Sequence, residues 1–497
     1  MTKGDVMSGR RVMATPRPVS AWVLVMRNEL RAMLRDRTTV AGIVLLTLLA
    51  VAATVVSSHH MQSAAEYRQR QQAAAQEAFD AQPDRHPHRV VHYGHFVYRL
   101  PSALAAFDPG VDPFTGSSMF LEGHRQNTAN FGDVMQSSIL TRFGQLTPAF
   151  VLQILAPLVL IFLGHGVLAQ ERERGTLRQL MLQGASLRAI VGGKLAALWL
   201  VSLVFMLPAF IGLALLAVAP EASGVVASVL MLGYVLYLGS WCAVIAAASA
   251  LLTRRRDALL VLVAAWSISA LLVPRVAPDV AYAVYTLPDR LQTEVGIGRD
   301  LRALGDSHNA DDPYFSAFRR KVLEQYGVSR IEDLPVNYKG LLAVEGERVT
   351  SALFNDYAGR SAEAQHKQNQ LVGGFALLSP SIALRQLSMA AAATDLSAHL
   401  RFLDQAEAHR YRLVQQLNQL QADGVSYADD TAKDAGADQR KRVDSSHWQE
   451  IPHFQFSPPA WTTVVHSLLP GLLILFGWLL VTLLVLALSA RRLEVAR

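Results

Sequence analysis

The sequence predicts an all-α polytopic membrane protein whose chain crosses the bilayer six times. Apolar residues make up 51% of the 497 residues, charged residues make up only 17%, and the mean hydropathy is +0.24. A soluble chain with so few charges could not cover its surface with polar groups. The apolar residues also gather into long runs with polar stretches between them, which is typical of membrane helices.

Six of these runs are long enough to cross about 30 Å of hydrocarbon, which takes about 20 helical residues. The fifth run is the weakest, because its uncharged stretch ends at Pro274, and we expect it to be a short or interrupted span. The predicted spans are residues 38–57, 147–169, 194–219, 224–252, 256–275 and 461–489.

Basic residues set the expected orientation of these spans. They are dense before the first run, between the second and third, between the fourth and fifth, and after the sixth. Because cytoplasmic loops carry the excess of Lys and Arg, we expect both termini to be cytoplasmic. The expected cytoplasmic parts are residues 1–37, 170–193 and 490–497, and the expected extracytoplasmic insertions are residues 58–146 and 276–460.

The segment before the first span carries apolar residues at helical spacing, whereas Arg27, Arg31 and Arg35 occupy its other faces. This pattern predicts an amphipathic helix that lies in the cytoplasmic interface of the membrane. The alternative is an ordinary soluble helix, which explains less well why the segment runs directly into a span. The apolar set is Val19, Trp22, Val23, Met26, Leu30, Met33 and Leu34.

Both insertions are expected to be mainly helical, and residues 62–82 are expected to continue the first helix beyond the bilayer. Residues 371–393 are apolar but are interrupted by Pro380 and Arg385. This stretch predicts either a re-entrant or interfacial element or a buried core segment of the insertion. Further helical patterns cover residues 314–326, 345–370 and 396–422.

A group of closely spaced histidines lies in the first insertion, and such imidazoles can bind copper or zinc. No cysteine supports a metal site, because the one cysteine of the chain, Cys242, lies in an apolar run. We therefore favour solvated or hydrogen-bonded histidines, and the sequence predicts no bound metal and no cofactor. The weak metal candidates are His86, His88, His92 and His95.

Several functional classes are excluded or disfavoured. The cores of the six runs contain no Asp, Glu, Lys or Arg, whereas ion-driven transporters usually bind the coupling ion with such groups. Gly193-Lys194 is followed by Leu195, so no P-loop is present, and no H-E-x-x-H or G-x-S-x-G motif occurs. The net charge of +6 lies largely beside the apolar runs and does not indicate nucleic-acid binding. We expect a chain that is not an enzyme and takes its energy from a partner.

The loop after the second run is short and densely charged, and it reads ERERGTLRQLMLQGASLRAIVGGK from Glu171 to Lys194. Apolar residues at helical spacing give it the pattern of a small amphipathic helix, which is suited to dock in a groove on a cytoplasmic partner. The alternative is a loop that only joins the two spans, and such a loop would need only the arginines that mark the cytoplasmic side. The apolar positions are Leu177, Leu180, Met181 and Leu187.

This loop resembles the one in the ABC-2 family of ABC transporter permeases, where E-x-E-x-G-T-L, a helix and G-K join the second and third spans. The six spans and the helix before the first span are also similar. The chain looks like a subgroup with two large insertions, marked by HYGHFVYR (92–99), LEGHRQN (121–127) and SPSIALRQLSM (379–389). The matching loop residues are Glu171, Glu173, Gly175, Thr176, Leu177, Gly193 and Lys194.

The resemblance implies a permease subunit of an exporter in the bacterial inner membrane, surrounded by lipid. It also implies a separate ATPase subunit and a second permease copy or paralogue, but no particular substrate. Residues 170–193 would transmit the closure of the ATPase, with the carboxylates pairing with its groove and Gly175 permitting the turn into the helix. The implied coupling residues are Glu171, Glu173, Gly175, Thr176, Leu177 and Lys194.

Two rival hypotheses remain open from the sequence. A membrane-anchored receptor or assembly scaffold explains the large insertions but leaves the E-R-E-R-G-T-L segment without a purpose. A permease of a copper or other metal-related ABC system rests only on the histidines of the first insertion.

Overall fold

The computed structural model describes residues 20–129, 145–219, 223–305, 309 and 311–495. Within these residues the chain is helical apart from short turns and a two-stranded antiparallel sheet. Six helices are long and apolar enough to cross a membrane, which confirms the predicted all-α fold. Val19, residues 220–222 and residues 496–497 lie outside the described residues.

The first part of the chain contains the first five spans and the hairpin. Its elements are α1 (Ala21–Arg35), α2 (Arg37–Asp80), α3 (Pro87–Tyr93), β1 (His95–Tyr98), α4 (Asp112–Thr115), β2 (Ser118–Leu121), α5 (Pro148–Glu173), α6 (Thr176–Leu182), α7 (Leu187–Leu216), α8 (Gly224–Leu251) and α9 (Arg255–Val284).

The second part contains the large insertion and the last span. Its helices are α10 (Arg290–Leu304), α11 (Pro313–Tyr326), α12 (Tyr338–Gly374), α13 (Pro380–Ala391), α14 (Leu396–Gly424), α15 (Tyr427–Thr431), α16 (Ala437–Arg440), α17 (Ser446–Gln449) and α18 (Trp461–Val495). The six membrane-crossing helices are α2, α5, α7, α8, α9 and α18.

Helix α2 is much longer than a membrane requires. Its 44 residues span about 66 Å, roughly twice the thickness of the hydrocarbon layer. It begins directly after Asp36, whose backbone is extended. The Asp36 carboxylate caps the helix by accepting a hydrogen bond from the backbone N–H of Thr39 at 3.0 Å. The helix ends at Asp80, so residues 62–80 continue the helix of the first span, whereas the sequence analysis expects this continuation to reach residue 82.

Helix α9, which contains the fifth predicted span, continues past Pro274 to Val284. A π-helical turn at Ser267–Leu272 immediately precedes the proline, and the helix then continues to Val284. A π turn widens the backbone locally, which accommodates a residue that lacks an N–H and crowds the preceding turn. Helix α5 shows the same combination, with a π-helical turn at Val151–Leu155 just before Pro157.

The two insertions pack together as one body, here called the insertion domain. Strands β1 and β2 pair in antiparallel register, and Val97 and Met119 of this hairpin share a buried cluster with Phe402 of α14. A second buried cluster joins Val90 of α3 to Trp448 of α17. The sequence analysis treats the insertions separately because their contacts join residues that are far apart in the chain.

Helix α13 lies among the membrane helices rather than in the core of the insertion domain. The hydroxyls of Ser381 and Ser388 lie 3.1 Å from those of Tyr237 and Tyr234 of α8. Tyr237 is the fourteenth of the 28 residues of α8, so α13 contacts the middle of a spanning helix. This position agrees with the re-entrant alternative for residues 371–393.

Candidate functional site

The segment between the second and third spans, here called the coupling segment (residues 171–194), contains one short exposed helix, α6. Helix α5 ends at Glu173, and α6 begins at Thr176 after a sharp turn. Gly175 has φ +72°, in the left-handed region that glycine adopts without steric cost. The predicted role of Gly175 in permitting this turn therefore has a geometric basis.

Lys194 ties the coupling segment to two other helices. It lies on α7 with only 3% of its surface exposed. Its Nζ atom is 2.6 Å from the Oε2 atom of Glu29 on α1 and 3.0 Å from the Oε1 atom of Glu171 on α5. An ammonium group this buried requires such partners, because its desolvation alone costs several kcal/mol. Three elements are thus held at one point by charge-assisted hydrogen bonds.

The remaining motif residues fix α6 to this point. The Thr176 hydroxyl donates a hydrogen bond to the Glu171 carboxylate. Leu177 is buried in an apolar cluster with Leu187 and Ile190 of α7. The structure therefore brings Glu171, Thr176, Leu177 and Lys194 into one contact region at the base of α6.

The other side of the segment is held by the turn between α8 and α9. The Arg172 guanidinium donates to the carbonyls of Ala250 and Leu252 at 3.0 and 3.3 Å. The Glu173 carboxylate accepts the backbone N–H of Arg255 at 2.8 Å. The coupling segment is consequently bonded to the start of the third span, the end of the fourth and the start of the fifth.

Helix α1 lies closely against the start of the third span. A Cβ atom at Gly193 would lie 2.6 Å from the Trp22 carbonyl oxygen and 2.8 Å from the Val25 Cβ atom. Only a residue without a side chain permits this approach, which brings Glu29 within reach of Lys194. Sequence reasoning missed Glu29, although it is the one acidic residue of an otherwise basic amphipathic helix.

The carboxylates of Glu171 and Glu173, which the sequence analysis assigns to pairing with a partner, have partners within the chain. The exposed part of the segment is the far side of α6 and the turn after it. Leu182 is 79% exposed, whereas Leu177 on the same helix is buried. Its signal in the sequence is its spacing, because five residues after the buried Leu177 is the opposite face of a helix. Other exposed side chains here are Arg178, Gln179, Gln183 and Arg188.

A second candidate site lies in the insertion domain, where three histidines meet. His88 and His92 are one turn apart on α3, and their Nε2 atoms are 3.1 Å from each other. The His124 ring follows β2, with its centroid 5.4 Å from that of His88 and 5.2 Å from that of His92. One ring nitrogen from each residue lies within 4.8 Å of the other two, close enough to hold a metal ion.

The other two predicted metal candidates take part in different contacts. The His86 Nε2 atom lies 3.1 Å from a carboxylate oxygen of Asp430, and its Nδ1 atom accepts the backbone N–H of His88. His95 is buried against the Phe79 ring, and burial lowers the pKa of its imidazole to about 4. Of the four candidates, only His88 and His92 share a site.

The described residues contain six helices long and apolar enough to span a membrane, with a short exposed segment between the second and third, and this arrangement fits the membrane subunit of a transporter. Comparison with known families agrees, since residues 115–287 match the family described as ABC-2 family transporter protein. The match confirms the resemblance to the ABC-2 family over these residues and supports a permease role in an ABC transporter. Residues 290–457 match a domain of unknown function (DUF3526). A search of curated proteins finds no match.

The two family matches cover different structural parts of the chain. The ABC-2 match covers the spans α5, α7, α8 and α9 together with the whole coupling segment. The match to the domain of unknown function covers helices α10 to α17, which form most of the insertion domain. The family assignment therefore bears on the coupling segment and leaves the role of the insertion domain open.

Proposed function

We propose that this chain is the permease subunit of an ATP-driven exporter in a bacterial inner membrane. Two permeases, identical or paralogous, would enclose the pathway, and two separate ATPase subunits would bind their cytoplasmic faces. The observation that carries this proposal is the construction of the coupling segment. It exposes one short helix to a partner while its base is bonded to α1, α7 and the turn between α8 and α9.

The exposed face of α6 is the proposed docking surface for the ATPase. A short helix with an apolar contact residue and flanking polar groups fits a groove on a partner. Leu182 would enter this groove, and Arg178 and Gln183 would contact its rim. The carboxylates of Glu171 and Glu173 would act behind this surface as positioning groups.

The bonded base explains how a movement of α6 would reach the spans. Packed interiors resist continuous deformation, so displacement of a bonded element moves its neighbours as a body. A displacement at α6 would pass through Lys194 to α7 and α1, and through Arg172 to the junction of α8 and α9. Closure of the ATPases would thereby reorient four of the helices that surround the pathway.

Replacing Leu182 by glutamate is expected to weaken ATPase binding at least about tenfold. A carboxylate in an apolar contact loses its hydration without gaining a partner, at a cost on the order of 2 kcal/mol or more. The measurement is the yield of P-loop ATPase that co-purifies with the tagged chain from native membranes, quantified by mass spectrometry.

Leu291→Glu is the matched control, because Leu291 is 70% exposed on α10 of the insertion domain. This variant should retain the wild-type yield of ATPase. If wild-type chain recovers no P-loop ATPase, the proposed function is wrong. If Leu182→Glu and wild type recover equal amounts, the docking surface lies elsewhere.

The rival proposal of a receptor or assembly scaffold is favoured by the size of the insertion domain. The double replacement Glu171→Ala and Glu173→Ala distinguishes the scaffold hypothesis from the permease hypothesis. A scaffold tolerates this change, since both residues lie far from the insertion domain. A permease should lose most of its effect on the ATPase, measured as the hydrolysis rate of the reconstituted complex. Unchanged hydrolysis would favour the scaffold.

A further inference from the structure

We propose that His88, His92 and His124 bind a divalent zinc or copper ion on the insertion domain. Three imidazoles converge there from two separate elements, α3 and the turn after β2. This inference does not depend on the proposed transport function, because the site lies outside the ABC-2 match for two of its three residues.

The spacing of the nitrogen atoms suits such an ion. Ligands at 2.0–2.1 Å from a tetrahedral zinc lie about 3.3 Å from each other. The Nε2 atoms of His88 and His92 are already 3.1 Å apart, because residues four positions apart share one face of a helix. One ring nitrogen of His124 lies within 4.8 Å of those of His88 and His92.

His124 is held in place by features that a plain surface histidine does not need. Its backbone has φ +61°, a left-handed conformation that is uncommon for residues other than glycine. Such strained residues cluster at binding sites, where the surrounding structure enforces the conformation. Here the backbone N–H of His124 donates to the Glu347 carboxylate at 3.1 Å, which supports the strained turn.

The same carboxylate orients the His124 ring. The Nδ1 atom of His124 lies 3.2 Å from the Oε2 atom of Glu347, which leaves Nε2 as the nitrogen available to the ion. Glu347 is completely buried, and the Arg410 guanidinium holds its other oxygen at 2.7 Å. Metal-binding histidines commonly donate their second N–H to a carboxylate, which fixes the ring and raises its basicity.

The ligand set selects the class of ion. Neutral imidazoles suit zinc, copper and nickel, with copper favoured by intrinsic affinity, whereas magnesium and calcium prefer oxygen ligands. Three protein ligands leave a fourth position open, and His92 is exposed, so that position faces solvent. The competing interpretation is a simple hydrogen bond between the His88 and His92 rings.

The test is metal titration of the full chain, purified in detergent with a tag that contains no histidines. Zinc and copper are titrated separately against a competing chromogenic chelator. We expect one equivalent to bind with a micromolar or lower Kd. His92→Ala and His124→Ala should each weaken binding at least about 100-fold, because even loss of a supporting group costs 10–100-fold.

His366→Ala is the matched control, because His366 is exposed on α12 and should not affect binding. Glu347→Gln should weaken binding about tenfold, which distinguishes an orienting carboxylate from a purely structural one. Since His92 is exposed, its removal leaves the fold intact and keeps the result interpretable. For copper, the nitrogen hyperfine pattern in the electron paramagnetic resonance spectrum should change in His92→Ala. Binding of both ions no tighter than millimolar, or equal affinity of His92→Ala and wild type, overturns the proposal.

Discussion

Replacing Lys194 by methionine is expected to reduce permease-stimulated ATP hydrolysis at least about tenfold. The side chain of methionine fills a similar volume but cannot bond Glu29 or Glu171. The base of the coupling segment then loses the contact that joins α1, α5 and α7. A tenfold effect corresponds to about 1.4 kcal/mol of lost coupling, which two charge-assisted hydrogen bonds readily supply. The measurement is the hydrolysis rate of the complex in lipid nanodiscs.

The same replacement should leave the chain folded. Removing one partner of a fully buried ion pair costs about 3–5 kcal/mol. The Glu29 and Glu171 side chains retain 18% and 24% exposure, so water partly replaces the lost ammonium and the cost is smaller. The chain should therefore extract and elute like wild type.

Arg256→Met is the control for loss of positive charge at the same end of the spans. Arg256 is exposed in the first turn of α9, and its removal should change hydrolysis less than twofold. If Lys194→Met hydrolyses ATP at the wild-type rate, the base of the coupling segment does not transmit the movement. If Arg256→Met lowers the hydrolysis rate by the same factor, the effect of Lys194→Met comes from the loss of positive charge and not from the lost contacts of Lys194.

Lys194 could be singled out from the sequence, but its partners could not be fully predicted. The Gly-Lys pair and the E-R-E-R-G-T-L segment are close in the chain, so their chemistry and resemblance are visible together. Glu29 joins them only because Gly193 allows α1 to lie against α7. Contacts of this kind depend on how helices pack, which local spacing does not specify.

The direction in which the side chains of the proposed coupling residues face could not be predicted from the sequence either. A helical pattern predicts which residues share a face only while the helix continues. The left-handed Gly175 separates α5 from α6 and interrupts the helical phase between them. The carboxylates of Glu171 and Glu173, on the α5 side of this break, bond Lys194 and the Arg255 backbone within the chain. The exposed residue is instead Leu182, which the sequence analysis did not single out, although its spacing from Leu177 places it on the opposite face of the helix.

The histidines show the same limit in the insertion domain. Proximity in the chain groups His86 with His95, but helical periodicity pairs His88 with His92. His124 joins them because β2 pairs with β1 and carries the following turn back to α3. The long α2 and the six spans, in contrast, follow from composition alone, because the membrane leaves a long apolar run few choices of structure.

Replacing Arg410 by methionine is expected to destabilise the insertion domain by about 3–5 kcal/mol, because the change leaves buried carboxylates uncompensated. Arg410 is 1% exposed and donates to Glu347, Glu407 and Ser351 at 2.7–2.8 Å. It also donates to the Glu122 carbonyl of the first insertion at 3.2 Å. A domain stabilised by about 5–15 kcal/mol loses a large share of its stability by this one change.

The measurement is hydrogen exchange of the full chain, followed by mass spectrometry of peptides from α14 and from the hairpin. Exchange of α14 amides should accelerate by about two to four orders of magnitude where it requires opening of the whole domain. Because Arg410 bonds residues of both insertions, peptides of β2 should accelerate together with those of α14. Peptides of the spanning helices should be unaffected.

Arg412→Met is the matched control, because Arg412 is an exposed arginine two residues further along the same helix. It should change stability by less than about 0.5 kcal/mol. Adding Glu347→Gln and Glu407→Gln to Arg410→Met should restore part of the lost protection, since it removes the charges that the arginine balanced. Acceleration confined to α14, with β2 still protected, would show that the two insertions open separately and that the shared ion network does not join them.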